Sequence, residues 1–248
     1  MKCWDRFDRK SMICFTGNKD TRMPAMRAEL ERVGLSGVHE LYQFPNPFMD
    51  ILLKAMNRVP EMSNSGYMNC SIGHYMEIAT AYHLGCDHAL LMEDDVRFMK
   101  DLDKVEKCVE SLPEDYDVAM FDCFFRMDRN DGERYSEWRD KRAVNECWAE
   151  FDRMYSCGCY AVSRHGMERL MFCVEAVEKA PRIFKMRPFD HFLDRSIIGK
   201  GSKMYFCRKN ACIQRPIGPS STGGGWIEEA YGKMGIDTDE YQGAANVI

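Results

Sequence analysis

Short apolar runs alternate along this chain with stretches in which apolar residues recur every three or four positions, and the two patterns predict different elements. Ser11 to Thr16 reads as a strand, punctuated by Gly17-Asn18. From Arg22 to Val33, the residues Met23, Met26, Leu30 and Val33 return at helical spacing, and Gly34 closes the helix. Ser71 is placed to cap a second helix whose apolar face carries Ile72, Tyr75, Met76 and Ala79, with Gly85 at its end. Ala89 to Met92 is apolar throughout, which suits a strand buried on both faces. Asp101 opens a helix with Leu102, Val105, Val109 and Leu112 on one side, stopped at Pro113. Asp117 to Cys123 is the next strand, with Asp122 near its carboxyl end. Tyr155 to Val162 and Ser202 to Cys207 read as further strands. Between them Ser163 caps a helix carrying Met167, Leu170, Met171 and Val174, which ends before Pro181. This alternation predicts an α/β fold with a mostly parallel central sheet and helices on both faces.

The connections carry less information. Phe44-Pro-Asn-Pro47 and the stretch around Asn64-Ser-Gly66 read as loops, with a possible flap. Arg126 to Arg142 is highly charged and reads as a solvated excursion or an acceptor-side loop. The tail, with Pro216, Pro219 and Gly223-Gly-Gly225 before Trp226, reads as loop-rich and mobile enough to act as a lid. No internal repeat is visible.

One stretch concentrates chemistry. The strand at Ala89 to Met92 ends on three carboxylates, Glu93, Asp94 and Asp95. Ligands of open α/β sheets sit at the carboxyl ends of strands. Three adjacent acids repel one another, and a hard divalent cation would turn that repulsion into coordination. The alternative is a solvated acidic turn. The loop after the first strand is a natural place for a nucleotide, with Thr16 at its start and Arg22 and Arg27 in reach of a phosphate. Solvated helix-face positions are the alternative for both arginines. His74 is either a packed helix histidine or a site residue.

Composition narrows the classes. The 248 residues fit one large α/β domain or two small ones, with 45% hydrophobic and 29% charged residues and no apolar run long enough to span a bilayer. A net charge of −5 without a long basic block gives no indication of a nucleic-acid groove. The charged N-terminus is not a signal peptide, so the twelve cysteines read as reduced core thiols and the expected location is cytoplasmic. Cys157-Gly-Cys159 has no second pair at zinc-site spacing.

A second chemical stretch runs from Arg187 to Arg195. Pro188 fits the first turn of a helix, Phe189 and Leu193 share a face, and Asp190 falls near the helix N-terminus. Asp190 is a dipole partner or a catalytic group.

Together these segments resemble glycosyltransferase family 25, the lipopolysaccharide and collagen-type galactosyltransferases of GT-A fold. Asn69-Cys-Ser-Ile-Gly-His74 resembles the family's Gly-Cys-x-x-Ser-His helix start, with Gly73 before the histidine. Gly85 and Ala89-Leu-Leu-Met-Glu-Asp-Asp-Val96 are similar to its Gly-x-x-x-Ala-Leu-Ile-Leu-Glu-Asp-Asp-Val block. Gly158 to Gly166 is similar to its Gly-x-x-x-Tyr-x-x-Ser-x-x-Gly segment, and Pro188-Phe-Asp-His-Phe-Leu193 to Pro-x-Asp-x-x-Leu. The resemblance covers roughly residues 67 to 220, and the acid block is its most specific part. The usual Asn-Leu-x-x-Arg opening is replaced by Cys14-Phe-Thr-Gly-Asn-Lys19.

The resemblance implies a GT-A type nucleotide-diphospho-sugar transferase fold in a single domain, residues 11–125 holding the nucleotide sugar and 126–248 facing the acceptor. It implies transfer of a hexose, galactose or glucose from a UDP-sugar, to a hydroxyl of a glycan or glycolipid acceptor, with inversion. Mn2+ or Mg2+ is the implied cofactor. Glu93 and Asp95 are the implied metal ligands, with Asp95 in direct contact, and Asp94 coordinates or binds ribose and sugar. Thr16, Arg22, Glu93 and Asp94 are expected around the donor, and Asp190 is the candidate base. No transmembrane segment is expected, and peripheral attachment to a membrane stays open. Two alternatives remain: a sugar-nucleotide nucleotidyltransferase, against which the sparse Gly17-Asn-Lys-Asp20 loop weighs, and a non-catalytic nucleotide- or glycan-binding protein on the same fold.

Overall fold

The structure, a computed structural model, describes residues 2–15, 20–43, 65–123, 135–152, 156–172, 189, 201–214 and 225–241. A 3₁₀ turn (Lys2–Arg6) precedes β1 (Arg9–Phe15), α1 (Met23–Arg32), β2 (Val38–Gln43) and α2 (Ser65–His83). Then come β3 (His88–Glu93), β4 (Val96–Phe98), α3 (Leu102–Glu110), β5 (Val118–Met120), α4 (Tyr135–Lys141) and β6 (Trp148–Glu150). The described chain continues through β7 (Cys159–Ser163), α5 (Arg164–Phe172), β8 (Met204–Cys207), β9 (Cys212–Gln214), α6 (Gly225–Lys233) and a 3₁₀ turn at Thr238–Tyr241.

Seven strands form the central sheet in the order β2-β1-β3-β7-β5-β8-β6. The pairings β1–β2, β1–β3 and β5–β8 are parallel, and β7 and β6 run against their neighbours. Five strands therefore point one way and two the other, which makes the sheet predominantly parallel. β4 and β9 form a separate antiparallel pair.

Strand alternation sorts side chains onto two cores. Leu90 and Met92 of β3, Cys159 and Ala161 of β7, and Tyr205 and Cys207 of β8 join α1 (Met23, Met26, Leu30) and α3 (Val105, Cys108, Val109) on one face. Ala89 and Leu91, Tyr160 and Val162, and Met204 and Phe206 join α2 (Ile78, Ala81), α4 (Tyr135, Trp138) and α5 (Met167, Leu170) on the other. Helices on both faces are thus present, as the alternation predicts.

The local signals of α1, α3 and α5 operate as expected. Gly34 ends α1 at φ 65°, and the Leu35 amide reaches back to the Leu30 carbonyl. Asp101 caps α3 by accepting from the Lys104 amide, and Ser163 Oγ accepts from the Gly166 amide at the start of α5. Gly166 also lets α5 lie against the end of β5, because a Cβ there would overlap the Asp117 carbonyl group. Backbone is the obstacle, so relief requires the helix to move. Gly166→Ala is expected to lower stability by about 3 kcal/mol in urea unfolding; an unchanged midpoint would mean that the helix moves freely.

Other expectations are corrected. Ser71 lies inside α2, which starts at Ser65, and the expected apolar face is turned outward at Ile72 (36% exposed) and Met76 (55% exposed). His74, Glu77 and Ile78 face the sheet instead, because the two polar groups find partners there: Tyr160 and Glu93 for His74, Ser11 and Arg9 for Glu77. Within the charged excursion, residues 135–141 form α4, with Tyr135 and Trp138 buried. In the tail, residues 225–241 form a helix and a 3₁₀ turn with Tyr231 and Tyr241 buried in the core, while Pro216 to Gly224, on which the lid expectation rests, lie outside the described residues. No helix among the described residues is long and apolar enough to cross a membrane. The eleven described cysteines are free, and seven of them are buried.

Candidate functional site

Because β1, β3 and β5 run in one direction, their carboxyl ends meet along one edge of the sheet. Glu93 ends β3 there, Asp94 and Asp95 follow it, and Asp122 follows β5. The antiparallel β7 enters from the same edge, so Ser156 and Cys157, just before it, join them. β4 turns back after the acids and pairs with β9, which brings Gln214 to the site.

The acid block is divided between the two faces. Glu93 continues the Ala89–Leu91 side of β3, toward α2, where its carboxylate meets Cys70, His74 and Cys157 and accepts from Gln214. Asp94 and Asp95 instead meet the start of α1. Arg22 Nη1 donates to Asp94 Oδ1 at 2.9 Å and to Asp95 Oδ2 at 3.3 Å, and all three residues are buried. Arg22, expected to reach a phosphate, here neutralises the acid pair. Among the described residues, Asp95 Oδ1 is buried without a hydrogen-bond partner. Arg27 lies on the exposed side of α1 in a bidentate pair with Glu40, beside Tyr42.

The electrostatics follow from burial and spacing. Burial, then the negative charges of Glu93, Asp94 and Asp122, push the Asp95 carboxyl well up despite Arg22. Glu93 goes the other way: burial raises it, but bonds from His74, Cys157 and Cys70 and the imidazolium charge hold it low. Burial would lower His74, yet Cys70 and Glu93 beside it raise it to about 9. A carboxyl pushed up by burial and then by like charges, with one oxygen unpartnered among the described residues, has the donor chemistry of a hard divalent cation site. Asp94 and Asp95 fit Mn2+ or Mg2+ in this sense.

Asp122 is fully buried beneath the acid turn. Its Oδ1 accepts from Tyr231 Oη at 2.7 Å and Asn210 Nδ2 at 3.3 Å, and its Oδ2 pairs with Ser156 Oγ at 2.7 Å. Ser156 adopts φ 132°, a strained conformation for a residue with a side chain, and its Oγ also accepts from the Gly158 amide. Burial raises Asp122 to about 7 against the lowering effect of Ser156 and Tyr231. Stability from its neutral form is full below the unfolded carboxyl range and is lost as pH rises toward 7. An asparagine fits the same donors if its amide faces Ser156 Oγ. Asp122→Asn should therefore be relatively more stable than wild type at pH 8 than at pH 4, by roughly 3–4 kcal/mol at about 1.4 kcal/mol per pH unit. Chemical denaturation at the two pH values checks this; a parallel loss in both proteins would show that Asp122 does not titrate in that window.

Other expected site residues are placed as follows. His74 is a buried residue that also touches the site, through Nε2 to Glu93. Cys157 and Cys159 do not act together, since Cys159 enters the opposite core. Thr16 and Asp190 lie outside the described residues. Phe189, the neighbour of Asp190 in the chain, is buried and stacks on His74 with ring centroids 4.6 Å apart. Cys70, Ser156, Gln214 and Tyr231 were not anticipated. Only Cys70 carried a usable signal, its position four residues before His74 on one helix face.

No family model matches the chain, and no curated protein matches its sequence. Among solved structures, it is similar to the galactosyltransferase LgtC bound to donor and acceptor sugar analogues, at 10% identity and TM-score 0.46 over 91% of this chain and 95% of that one. A mannose-1-phosphate geranyltransferase from Thermus thermophilus gives 10% identity and TM-score 0.41, over 84% and 74% of the two chains. Mouse xyloside xylosyltransferase 1 gives 8% identity and TM-score 0.36, over 74% and 80%. Likeness of this degree assigns neither family nor activity, which rest on the side chains.

Proposed function

We propose that the protein is a metal-dependent glycosyltransferase of GT-A type, similar to family 25. It moves a hexose, galactose or glucose, from a UDP-sugar to a hydroxyl of a glycan or glycolipid acceptor in surface glycan synthesis at the cytoplasmic side. The observation that carries this reading is the buried Asp94–Asp95 pair at the carboxyl edge of the sheet, with Asp95 Oδ1 unpartnered among the described residues.

In this reading residues 11–125 bind the donor and residues 126–248 face the acceptor. Asp95 holds Mn2+ or Mg2+, and Asp94 coordinates as well or binds ribose and sugar. A cation held there would supply charge neutralisation for the leaving diphosphate. Arg22 holds the two carboxylates in place, a buried cation against two anions, and Thr16 lies on the expected donor loop. Glu93, the other ligand implied by the resemblance, is left out of this ion's set because its carboxylate faces α2 and meets Cys70, His74 and Cys157, and it supports the turn from that side. Inversion in a single displacement needs a base that accepts the acceptor hydroxyl's proton as the new bond forms. Asp190 is assigned that role from its place in Pro188-Phe-Asp-His-Phe-Leu193, the stretch similar to the family's Pro-x-Asp-x-x-Leu.

A thermal-shift series with UDP, GDP and CMP, each with and without Mn2+, tests the donor class. A ligand that binds only the folded state raises the midpoint, by about 2.7 kcal/mol in stability at a hundredfold excess over Kd. Stabilisation by UDP that requires Mn2+ is the expected result. No shift with any nucleotide would contradict the reading.

A further inference from the structure

Glu93 Oε1 is a point on which three other side chains converge. Cys157 Sγ lies 3.0 Å away, Cys70 Sγ 3.1 Å and His74 Nε2 3.3 Å. The ligand atoms of the four groups all lie within 4.8 Å of one another. Ligand atoms around a tetrahedral zinc stand about 3.3–3.8 Å apart, given bonds of about 2.0–2.3 Å, so closing the widest gap takes a shift of about 1 Å.

We propose that Cys70, His74, Glu93 and Cys157 form a four-ligand site for a borderline-soft divalent cation, zinc above all, separate from the oxygen-only Asp94–Asp95 pair. Two thiolates, an imidazole and a carboxylate suit tetrahedral zinc, whereas Mn2+ and Mg2+ favour oxygen ligands. Cys70 and His74 are one turn apart on α2, Glu93 ends β3, and Cys157 precedes β7, so one ion ties three elements together. The surroundings orient the ligands. With Nδ1–H donated to Tyr160 Oη at 2.8 Å, the Nε2 lone pair faces the cluster, and Phe189 stacked at 9° fixes the ring plane. Gln214 holds the second oxygen of Glu93. All four positions are filled by protein, which marks a structural site rather than a catalytic one. On binding, the thiol protons and the Nε2 proton pass to solvent. The ion would fasten the strand end that carries the acid pair, whatever reaction that pair serves.

Metal content and a cobalt spectrum of the full chain test this. Protein purified with a thiol reductant and dialysed is expected to retain one zinc per chain. Cobalt in its place should give a thiolate-to-metal charge-transfer band and the visible bands of a tetrahedral ion. Both should vanish in the Cys70→Ser, Cys157→Ser double variant and persist in Asp95→Asn and in Cys108→Ser. Zinc that survives the double substitution, zinc lost in Asp95→Asn, or a native Cys70–Cys157 disulfide found by peptide mapping would overturn the proposal. So would wild-type protein with neither bound zinc nor the cobalt–thiolate band, a readout that stands even if the double variant fails to fold. Donor turnover does not enter these measurements, so this site and the transferase reading fail separately.

Discussion

Replacing Asp95 with asparagine is expected to lower donor turnover about a thousandfold while leaving the chain folded. A cation at a developing diphosphate charge is worth several kcal/mol, and each 1.36 kcal/mol is a factor of ten in rate. Asparagine keeps the shape of the side chain but loses the anionic donor whose Oδ1 has no other partner. Folding should not suffer, because burial and the neighbouring carboxylates already favour the neutral form of Asp95, whose shape asparagine keeps. The measurement is kcat/KM with saturating Mn2+, alongside the thermal midpoint. Wild-type turnover in a folded Asp95→Asn protein would remove Asp95 from the site.

Arg22→Met should have the largest effect on stability, a loss of about 3–5 kcal/mol, the usual cost of leaving buried charges without their partner. Arg22 donates one nitrogen to both Asp94 and Asp95 within a buried turn. Methionine retains much of the apolar stem but none of the charge. Added Mn2+ should then recover more stability in the variant than in wild type, since the cation takes over the neutralisation. Denaturant melts with and without Mn2+ report both effects. A variant as stable as wild type would show that the acid pair does not depend on Arg22.

What the sequence reveals here follows the range of the interactions. The β3 strand and its acids are legible because a continuous apolar run and three adjacent carboxylates are local features. The faces of α1 and α3 are legible for the same reason, and Met23, Met26, Leu30, Val105 and Val109 are all buried as their spacing predicts. The face of α2 is misread because His74 and Glu77 are buried against Tyr160, Glu93, Ser11 and Arg9, partners distant in sequence. Of the four strands of three residues, β4, β6 and β9 are too short to show a period, whereas β5 is legible from the apolar run Val118 to Phe121. The antiparallel direction of β7 is set by its neighbours, not by its own residues.

The site shows the same division. The hydrophobic pattern finds the carboxyl edge but not how the acids are shared out. Arg22 is separated from Asp94 and Asp95 by 72 and 73 positions, so their pairing appears only once α1 packs on the sheet. Period-two alternation of β3 sends Glu93 toward α2, and three residues in a row become two separate groups of different chemistry. Asp122 stands out in the sequence as an acid at a strand end, but its neutralising company of Tyr231, Asn210 and Ser156 comes from three other segments.

The most direct test of the central claim is product analysis with UDP-galactose and UDP-glucose in the presence of Mn2+, following UDP release and the anomeric configuration of the sugar by proton NMR. The account predicts Mn2+-dependent release of UDP, suppressed by a chelator, with the α-linked donor giving a β-configured product. Binding of UDP with no turnover of either donor, or a product that retains the α configuration, would contradict it.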